Sequence, residues 1–425
     1  MCWARNNDRS GRQGLMEPRQ KQKRPIFYKH RPDYVLTALV AILVGLGLIL
    51  IFSTGWISIL KRTSGTSDYN SYFWKQLIGF GVGIVAWIFT SKFNYQKWQK
   101  IATPMFWISF AMMFLVLIPA IALNSGGASR WIRLGFINFQ PVEFLKLGAV
   151  IYMAKWLTKN KEKFSKPLES LLPFILIIII LMVPTILIQK DMGSAMVIVL
   201  SLLAMYLASG VPLWNFAAAF ITLLGMASAM IAIAPYRMAR FLTFLNHTDD
   251  VNGSGYHINQ ALIALGSGGI LGRGLGKSLQ AYGYLPEATN DSIFAIVGEE
   301  FGIWGTIALV SAFIVLVWRG LKISKSAPDD FGRLLALGII CWIGFQAMIN
   351  ISAMLGLLPL TGIPLPFISY GGTSLVALLG AMGILQNISK YTYKEVYDED
   401  SSSRGRDSRA HIAGVGRHRV NSRPQ

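Results

Sequence analysis

The chain has 425 residues, of which 53% are hydrophobic and only 14% charged, too little polar material to cover soluble domains of that size. The formal net charge of +19 would suit a nucleic-acid partner. Its Lys and Arg residues gather instead in the two tails and in alternate short loops, which is a membrane-topology pattern, and no nucleic acid is expected. Two cysteines, Cys2 and Cys341, suggest neither a disulfide nor a metal framework.

Residues 1–33 are polar and basic and read as a disordered cytoplasmic tail. A basic stretch this long ahead of a full-length span reads as a retained anchor, not a cleaved signal. Apolar runs follow at 34–60, 72–93, 101–123, 141–157, 171–188, 192–209, 212–234, 291–318, 333–356 and 373–390. A run of about 18 residues crosses roughly 30 Å of hydrocarbon as a helix, and lipid offers the backbone no partner outside its own segment. The expected fold is an all-α polytopic membrane protein of about ten transmembrane helices, occupying 34–390. Lys92, Lys97 and Lys100, then Lys159, Lys161, Lys163 and Lys166, then Arg319, Lys322 and Lys325 share a side with the tails, which puts both termini in the cytoplasm. Segments 124–140, 235–290 and 357–372 are then external. The second of these, between spans seven and eight, is long enough to suggest function. Its Gly-rich apolar stretch 258–275 reads as re-entrant or interfacial. Residues 391–425 again read as a disordered tail, and the basic tails suit anionic lipid or partner proteins.

The unusual residues lie in the external segments. The first carries Arg130-Trp131-Ile132-Arg133, then Pro141, Glu143 and Lys146. Two arginines can fork onto phosphate, Trp131 suits the interface, and Pro141 suits a first helical position. Glu143 and Lys146 stand three apart on one helix face and either pair or serve a site. Gln189-Lys190-Asp191-Met192-Gly193 is a polar turn in which Asp191 caps the following helix. Gly272-Arg273-Gly274-Leu275-Gly276-Lys277-Ser278 ends like a nucleotide-binding P-loop. Leu271 occupies the place of the leading glycine and no strand precedes it, so the match fails. Two readings stay open for it: amides that with Arg273 and Lys277 hold a pyrophosphate, or a flexible linker. Asp291 stands where the long segment enters span eight, either as a helix cap or as a carboxylate at the mouth of a cavity. Glu299 and Glu300, about two turns deeper, must be paired, protonated or solvated. The run from Asn350 to Ser374 holds Pro359, Pro364 and Pro366 among glycines, a backbone that is tolerated at membrane depth only when buried in protein or lining a wet cavity.

In order and spacing, the stretches 128–146, 189–195, 255–300 and 350–374 resemble the SEDS family (shape, elongation, division and sporulation), over about 33–390. The run Gly274-Leu275-Gly276-Lys277-Ser278-Leu279-Gln280 resembles its division branch more than its elongation branch. The resemblance implies polymerisation of lipid II into peptidoglycan on the outer face of the cytoplasmic membrane, beside a class B penicillin-binding protein transpeptidase. It implies Asp291 as the catalytic group and Arg130 and Trp131 as further site residues. Lys190 and Met192 stand where the family usually has Pro and Leu, Thr289-Asn290 where it has His-Thr, and Ser292 where it has Phe. The aspartate is kept.

The expected reaction is one inverting displacement with undecaprenyl pyrophosphate leaving, and Asp291 as general base. Arg130, Trp131, Arg133, Lys146, Arg273, Lys277, Glu287 and Ser369 are the candidate substrate-binding residues. No protein metal site is expected; a divalent Mg or Mn cation is an alternative to Arg and Lys for stabilising the leaving group. A lipid II flippase and an inactive division scaffold are the rival readings.

Overall fold

The computed structural model describes residues 23–29, 31–61, 69–125, 128–134, 137–233, 238, 242, 244 and 254–397. Two compact units are distinguished, residues 1–28 with 393–425, and residues 29–392. Lys23–Lys29 and Tyr391–Tyr397 are two paired strands. This corrects the expectation of wholly unstructured tails: both segments carry Tyr or Phe with β-branched residues, which favour a strand. The rest of both tails lies outside the described residues.

In the larger unit every expected apolar run has its helix. These are α1 (Tyr34–Lys61), α2 (Tyr69–Lys92), α3 (Tyr95–Met112, prolonged as a 3₁₀ turn to Leu117), α4 (Pro141–Lys159), α5 (Pro167–Met182, continued by a π turn to Ile188), α6 (Met192–Ala208) and α7 (Leu213–Ile233). After them come α8 (Ser254–Ser267), α9 (Ile293–Ser326), α10 (Asp330–Met354) and α11 (Gly372–Ile388). Their ends follow local chemistry. Asp33 accepts the amides of Val35 and Leu36 ahead of α1, Asn94 caps α3 and Asp329 caps α10. Pro141 and Pro167 stand in the first turns of α4 and α5. Seven of the described helices are long and apolar enough to cross a membrane by length and composition. Helices α6 and α11, 17 residues each, are shorter, and α4 carries Glu143, Lys146, Lys155 and Lys159.

Helix α10 is the axis: 67% of its apolar window is buried, against 11% for α7. It packs on α9, α6 and α4. The outer helices turn Trp107, Leu213, Trp214, Ile221 and Ile233 outward, an arrangement that water would punish and lipid accepts. Helices α2 and α11 meet at backbone distance. A Cβ on Gly79 would stand 2.6 Å from the Gly372 Cα, and one on Gly83 would strike Leu379, the small-xxx-small device of membrane helix pairs.

Three sequence expectations change. The third span ends at Leu117, not 123, and segment 124–140 is not a simple loop. Strands β1 (Ala122–Ser125), β2 (Ala128–Leu134) and β3 (Ile137–Phe139) form an antiparallel meander, with Leu123 opposite Trp131, Ile132 opposite Phe139, and a bulge at Leu123/Asn124. Helix α9 runs on to Ser326, so Arg319, Lys322 and Lys325 stand on its last turns and not in a loop. Lys97 and Lys100 likewise begin α3. Long basic side chains carry their charge past the end of an apolar helix without breaking it. Of the long segment 235–290, the expected re-entrant stretch is helix α8 followed by a glycine turn, both packed on α9.

Candidate active site

Helix α9 breaks at Gly302, whose φ of 66° and ψ of −161° are not helical. A side chain there would lie 2.4 Å from the Gly272 amide nitrogen and 2.6 Å from the Ile270 carbonyl oxygen. The glycine turn fits into this break, backbone on backbone. The amides of Arg273 and Gly274 donate to the carbonyls of Glu299 and Glu300, each at 2.9 Å, and the Ile303 amide donates to Gly269 O at 3.0 Å. The glycines are therefore neither a flexible linker nor an open pyrophosphate cradle. These amides are occupied, and close approach is what excludes a Cβ.

The two acids beneath the turn are also committed. Glu299 is buried; its Oε1 accepts the Leu279 amide at 2.9 Å and its Oε2 the Gln280 amide at 3.2 Å together with the Ser278 hydroxyl. Arg273 Nε stands 3.7 Å from Glu299 Oε1. Glu300 Oε1 accepts the Ser53 hydroxyl at 3.1 Å and the Gly276 amide at 3.0 Å. Lys277 is exposed on this loop. Arg273 thus belongs with Glu299, while Lys277 lies on the same glycine loop beside Gly274.

The loop climbs from there to Asp291. Glu287, exposed with φ 49°, accepts the Asn290 side-chain amide through its carboxylate, and its carbonyl takes the Asn290 backbone amide at 2.9 Å. Ser292, buried, donates to Pro286 O at 2.9 Å and lies 2.6 Å from His257 Nε2 of α8. Ser292, not Asp291, is the N-cap residue of α9, and no side-chain capping bond forms there. The helix-cap reading of Asp291 is thereby corrected. Asp291 is half-buried; its Oδ2 lies 3.8 Å from where a Cβ on Gly362 (φ 67°) would sit, an ordinary contact distance that places the carboxyl beside this glycine.

The broken segment 355–371 presses against this carboxylate. Ser369, buried, accepts the Leu365 amide through Oγ at 2.7 Å, and the Tyr370 amide donates to Thr289 O at 2.9 Å. Phe367 is buried with a φ of 67°, a left-handed geometry that a large residue keeps only where its surroundings impose it. Burial, with Tyr72 nearby, pushes the Tyr370 hydroxyl up to about 12, so it stays a neutral donor. A Cβ on Gly193 would meet Ile363 Cγ1 at 2.4 Å and Thr361 O at 2.9 Å, so the segment also lies on the start of α6. Asp191 caps that helix as expected, with Oδ1 accepting the Ser194 amide at 2.9 Å.

Arg130 reaches the same turn. Its Nε donates to Gln189 O at 3.2 Å and its terminal nitrogen to Lys190 O at 2.8 Å, so the fork expected to hold phosphate grips main chain. Strand alternation puts Arg130 on the face of buried Ile132, with Trp131 and Arg133 on the other; Trp131 is half-buried and Arg133 exposed. Lys146 is not at the surface at all. It is buried, 2.7 Å from Glu143 Oε1, and donates to Gln346 Oε1 at 2.8 Å. Trp342 Nε1 donates to the same Gln346 oxygen at 2.9 Å, and Gln346 Nε2 donates to Pro364 O at 2.9 Å.

Asp291, Glu287 and Ser369 therefore gather at one end of the bundle, with Arg130 reaching in across the α6 turn. Arg273 is drawn to Glu299, Lys277 stands exposed on the same loop, and Lys146 is a buried support beneath Pro364. The sequence reading assigned no role to Asn350 and Gln346. Their signal was two amides four residues apart on one face of an apolar helix.

A family model described as Cell cycle protein, covering FtsW, RodA and SpoVE, matches residues 34–394. Stage V sporulation protein E of Bacillus subtilis is 36% identical over 371 residues, 86% of this chain and 98% of that protein. The probable peptidoglycan glycosyltransferase FtsW of Trichlorobacter lovleyi is 37% identical over 358 residues, 84% and 93% of the two chains. In fold, the chain resembles one from a peptidoglycan synthase complex that coordinates polymerization and crosslinking (TM-score 0.66, 24% identity, 84% of this chain and 98% of that one). It also resembles the rod shape determining protein RodA of Thermus thermophilus (TM-score 0.60, 22% identity, 84% and 97%). An integral membrane protein with these motifs and this extent of match belongs to the FtsW/RodA/SpoVE, or SEDS, family of cell cycle proteins.

Proposed function

We propose that this protein is a peptidoglycan glycosyltransferase that polymerises lipid II into glycan strands during cell division, at the outer face of the cytoplasmic membrane. The names of its FtsW relatives support the activity. The observation that carries the site is Asp291: a half-buried carboxylate at the entry to α9, beside Gly362 of the broken segment.

A donor sugar α-linked to undecaprenyl pyrophosphate and a β-linked product require one inversion. Asp291 accepts the proton of the attacking acceptor 4-hydroxyl as the new glycosidic bond forms and the pyrophosphate leaves with its electron pair. The leaving anion needs positive charge. Arg133 and Lys277 are exposed to supply it, whereas Arg130 and Lys146 act by holding the scaffold. Among the described residues no three His, Cys, Asp or Glu side chains gather to hold a metal. A divalent Mg or Mn cation would be an alternative source of that positive charge. An apolar cavity of about 270 Å³ between α5, α6 and α7 includes Ile186 and Met192, which flank the turn gripped by Arg130, and is suited to part of a prenyl chain.

The fold match to a synthase complex supports a class B penicillin-binding protein as partner. The basic loops and tails support cytoplasmic termini, and the division relatives support a septal location beside other division proteins. The test is polymerisation of purified lipid II, with and without the transpeptidase and divalent cation. Asp291→Asn is expected to lower the rate about 10²–10⁴-fold, to a residual that is still measurable, and a wild-type rate in that variant rejects the assignment.

A further inference from the structure

Asn350 lies on the innermost helix and is buried. Its Nδ2 donates one hydrogen to the Asp291 carbonyl at 2.7 Å and the other to the Ile363 carbonyl at 2.8 Å. Both partners are acceptors only, so the amide has one workable orientation; turned over, Oδ1 would face two oxygens. One side chain thus fastens the residue that enters α9 to the broken segment, and Ile363 in turn rests on Gly193 of α6. The Ser292 side chain makes no capping bond at the start of α9, and the two Asn350 bonds tie the main chain there to the innermost helix. Its neighbour one turn back, Gln346, fastens Pro364 in the same manner.

We infer that Asn350 is a positioning residue for the polymerisation reaction: it fixes the main chain of Asp291, and through it the place of the carboxylate, without touching substrate. The inference rests on Asp291 being the proton acceptor. A carboxylate shifted by about 1 Å from the acceptor hydroxyl loses on the order of 100-fold in rate.

The test uses the full-length protein in lipid nanodiscs with purified lipid II. Asn350→Leu keeps the volume and removes both hydrogen bonds; Asn350→Asp keeps the shape and sets oxygens against oxygens. In each, kcat is expected to fall about 100-fold with KM changed by no more than about twofold. Hydrogen exchange at 288–293 is expected to rise while that of α2 and α11 stays put. Because a generally weakened protein also loses rate, the decisive comparison is made in the Asp291→Asn background. There Asn350→Leu is expected to change the residual rate by no more than about twofold, since both act through one group. Losses that multiply, or a wild-type kcat in Asn350→Leu, overturn the inference. A strongly slowed Asp291→Asn beside a fully active Asn350→Leu sinks the inference alone. A fully active Asp291→Asn sinks the catalytic reading, and this inference with it.

Discussion

Replacing Glu299 by Gln removes a charge that the structure uses as a main-chain acceptor. Both carboxylate oxygens are occupied: Oε1 by the Leu279 amide at 2.9 Å, Oε2 by the Gln280 amide at 3.2 Å and the Ser278 hydroxyl. Together they cap the short 3₁₀ turn Gln280–Tyr282. Glutamine has one oxygen and one NH₂, so whichever way it turns, one backbone N–H faces another donor. A buried donor left without its acceptor costs about 1–3 kcal/mol. Arg273 Nε, 3.7 Å away, also loses its anion, but that side chain is over a third exposed and water screens much of the loss. A net cost near 2 kcal/mol is about a 30-fold change in the local opening equilibrium. Hydrogen exchange at Leu279 and Gln280 in the Glu299→Gln protein is therefore expected to quicken about 30-fold. Ser278→Ala removes only the hydroxyl and should quicken it far less. Exchange at the wild-type rate in Glu299→Gln would show that the carboxylate does not hold this loop.

Two further pairs of substitutions separate packing from charge. Gly302→Ala places a Cβ 2.4 Å from Gly272 N on a backbone (φ 66°, ψ −161°) that is essentially confined to glycine, itself costing about 1–3 kcal/mol. Gly269→Ala also takes a positive φ (56°) but has open space around it. Limited proteolysis of the 266–280 loop is expected to rise much more for Gly302→Ala than for Gly269→Ala, and equal cleavage refutes the close-packing account. Lys146→Met leaves the buried Glu143 carboxylate without its cation, which costs about 3–5 kcal/mol. Adding Glu143→Gln to that protein should restore most of the lost thermal stability. A double variant no more stable than the single one would refute the pairing.

The helices were legible because each follows from a local property. An apolar run of the right length leaves the backbone no alternative in lipid, and the caps at Asp191 and the prolines at 141 and 167 mark boundaries with short-range chemistry. What could not be read depends on residues far apart in sequence. The glycines between 266 and 276 look like a linker until Gly302 breaks α9 and admits them. Asp291 looks like a cap until the cap position is seen to fall one residue later, at Ser292, with the helix starting at Ile293. Arg130 looks like a phosphate ligand because its partners, the carbonyls of residues 189 and 190, lie about sixty positions away. The meander at 122–139 carries too few residues per strand for a period of two to stand out.

The polar residues of the helical core share one physical task. Wherever a helix stops short inside the bundle, its successor backbone carries carbonyls and amides that lipid cannot satisfy. Here an interior side chain meets many of them. Glu299 takes the amides of Leu279 and Gln280, Glu300 that of Gly276, Gln346 the carbonyl of Pro364, and Asn350 the carbonyls of Asp291 and Ile363. Under the 273–281 loop the carboxylates meet N–H groups, and under 361–366 the two α10 amides meet C=O groups. At the end of the broken segment an amide takes the opposite part, Gln76 Oε1 accepting the Gly371 N–H at 3.0 Å. An enzyme embedded in lipid that must keep irregular backbone rigid obtains that rigidity from these buried side chains.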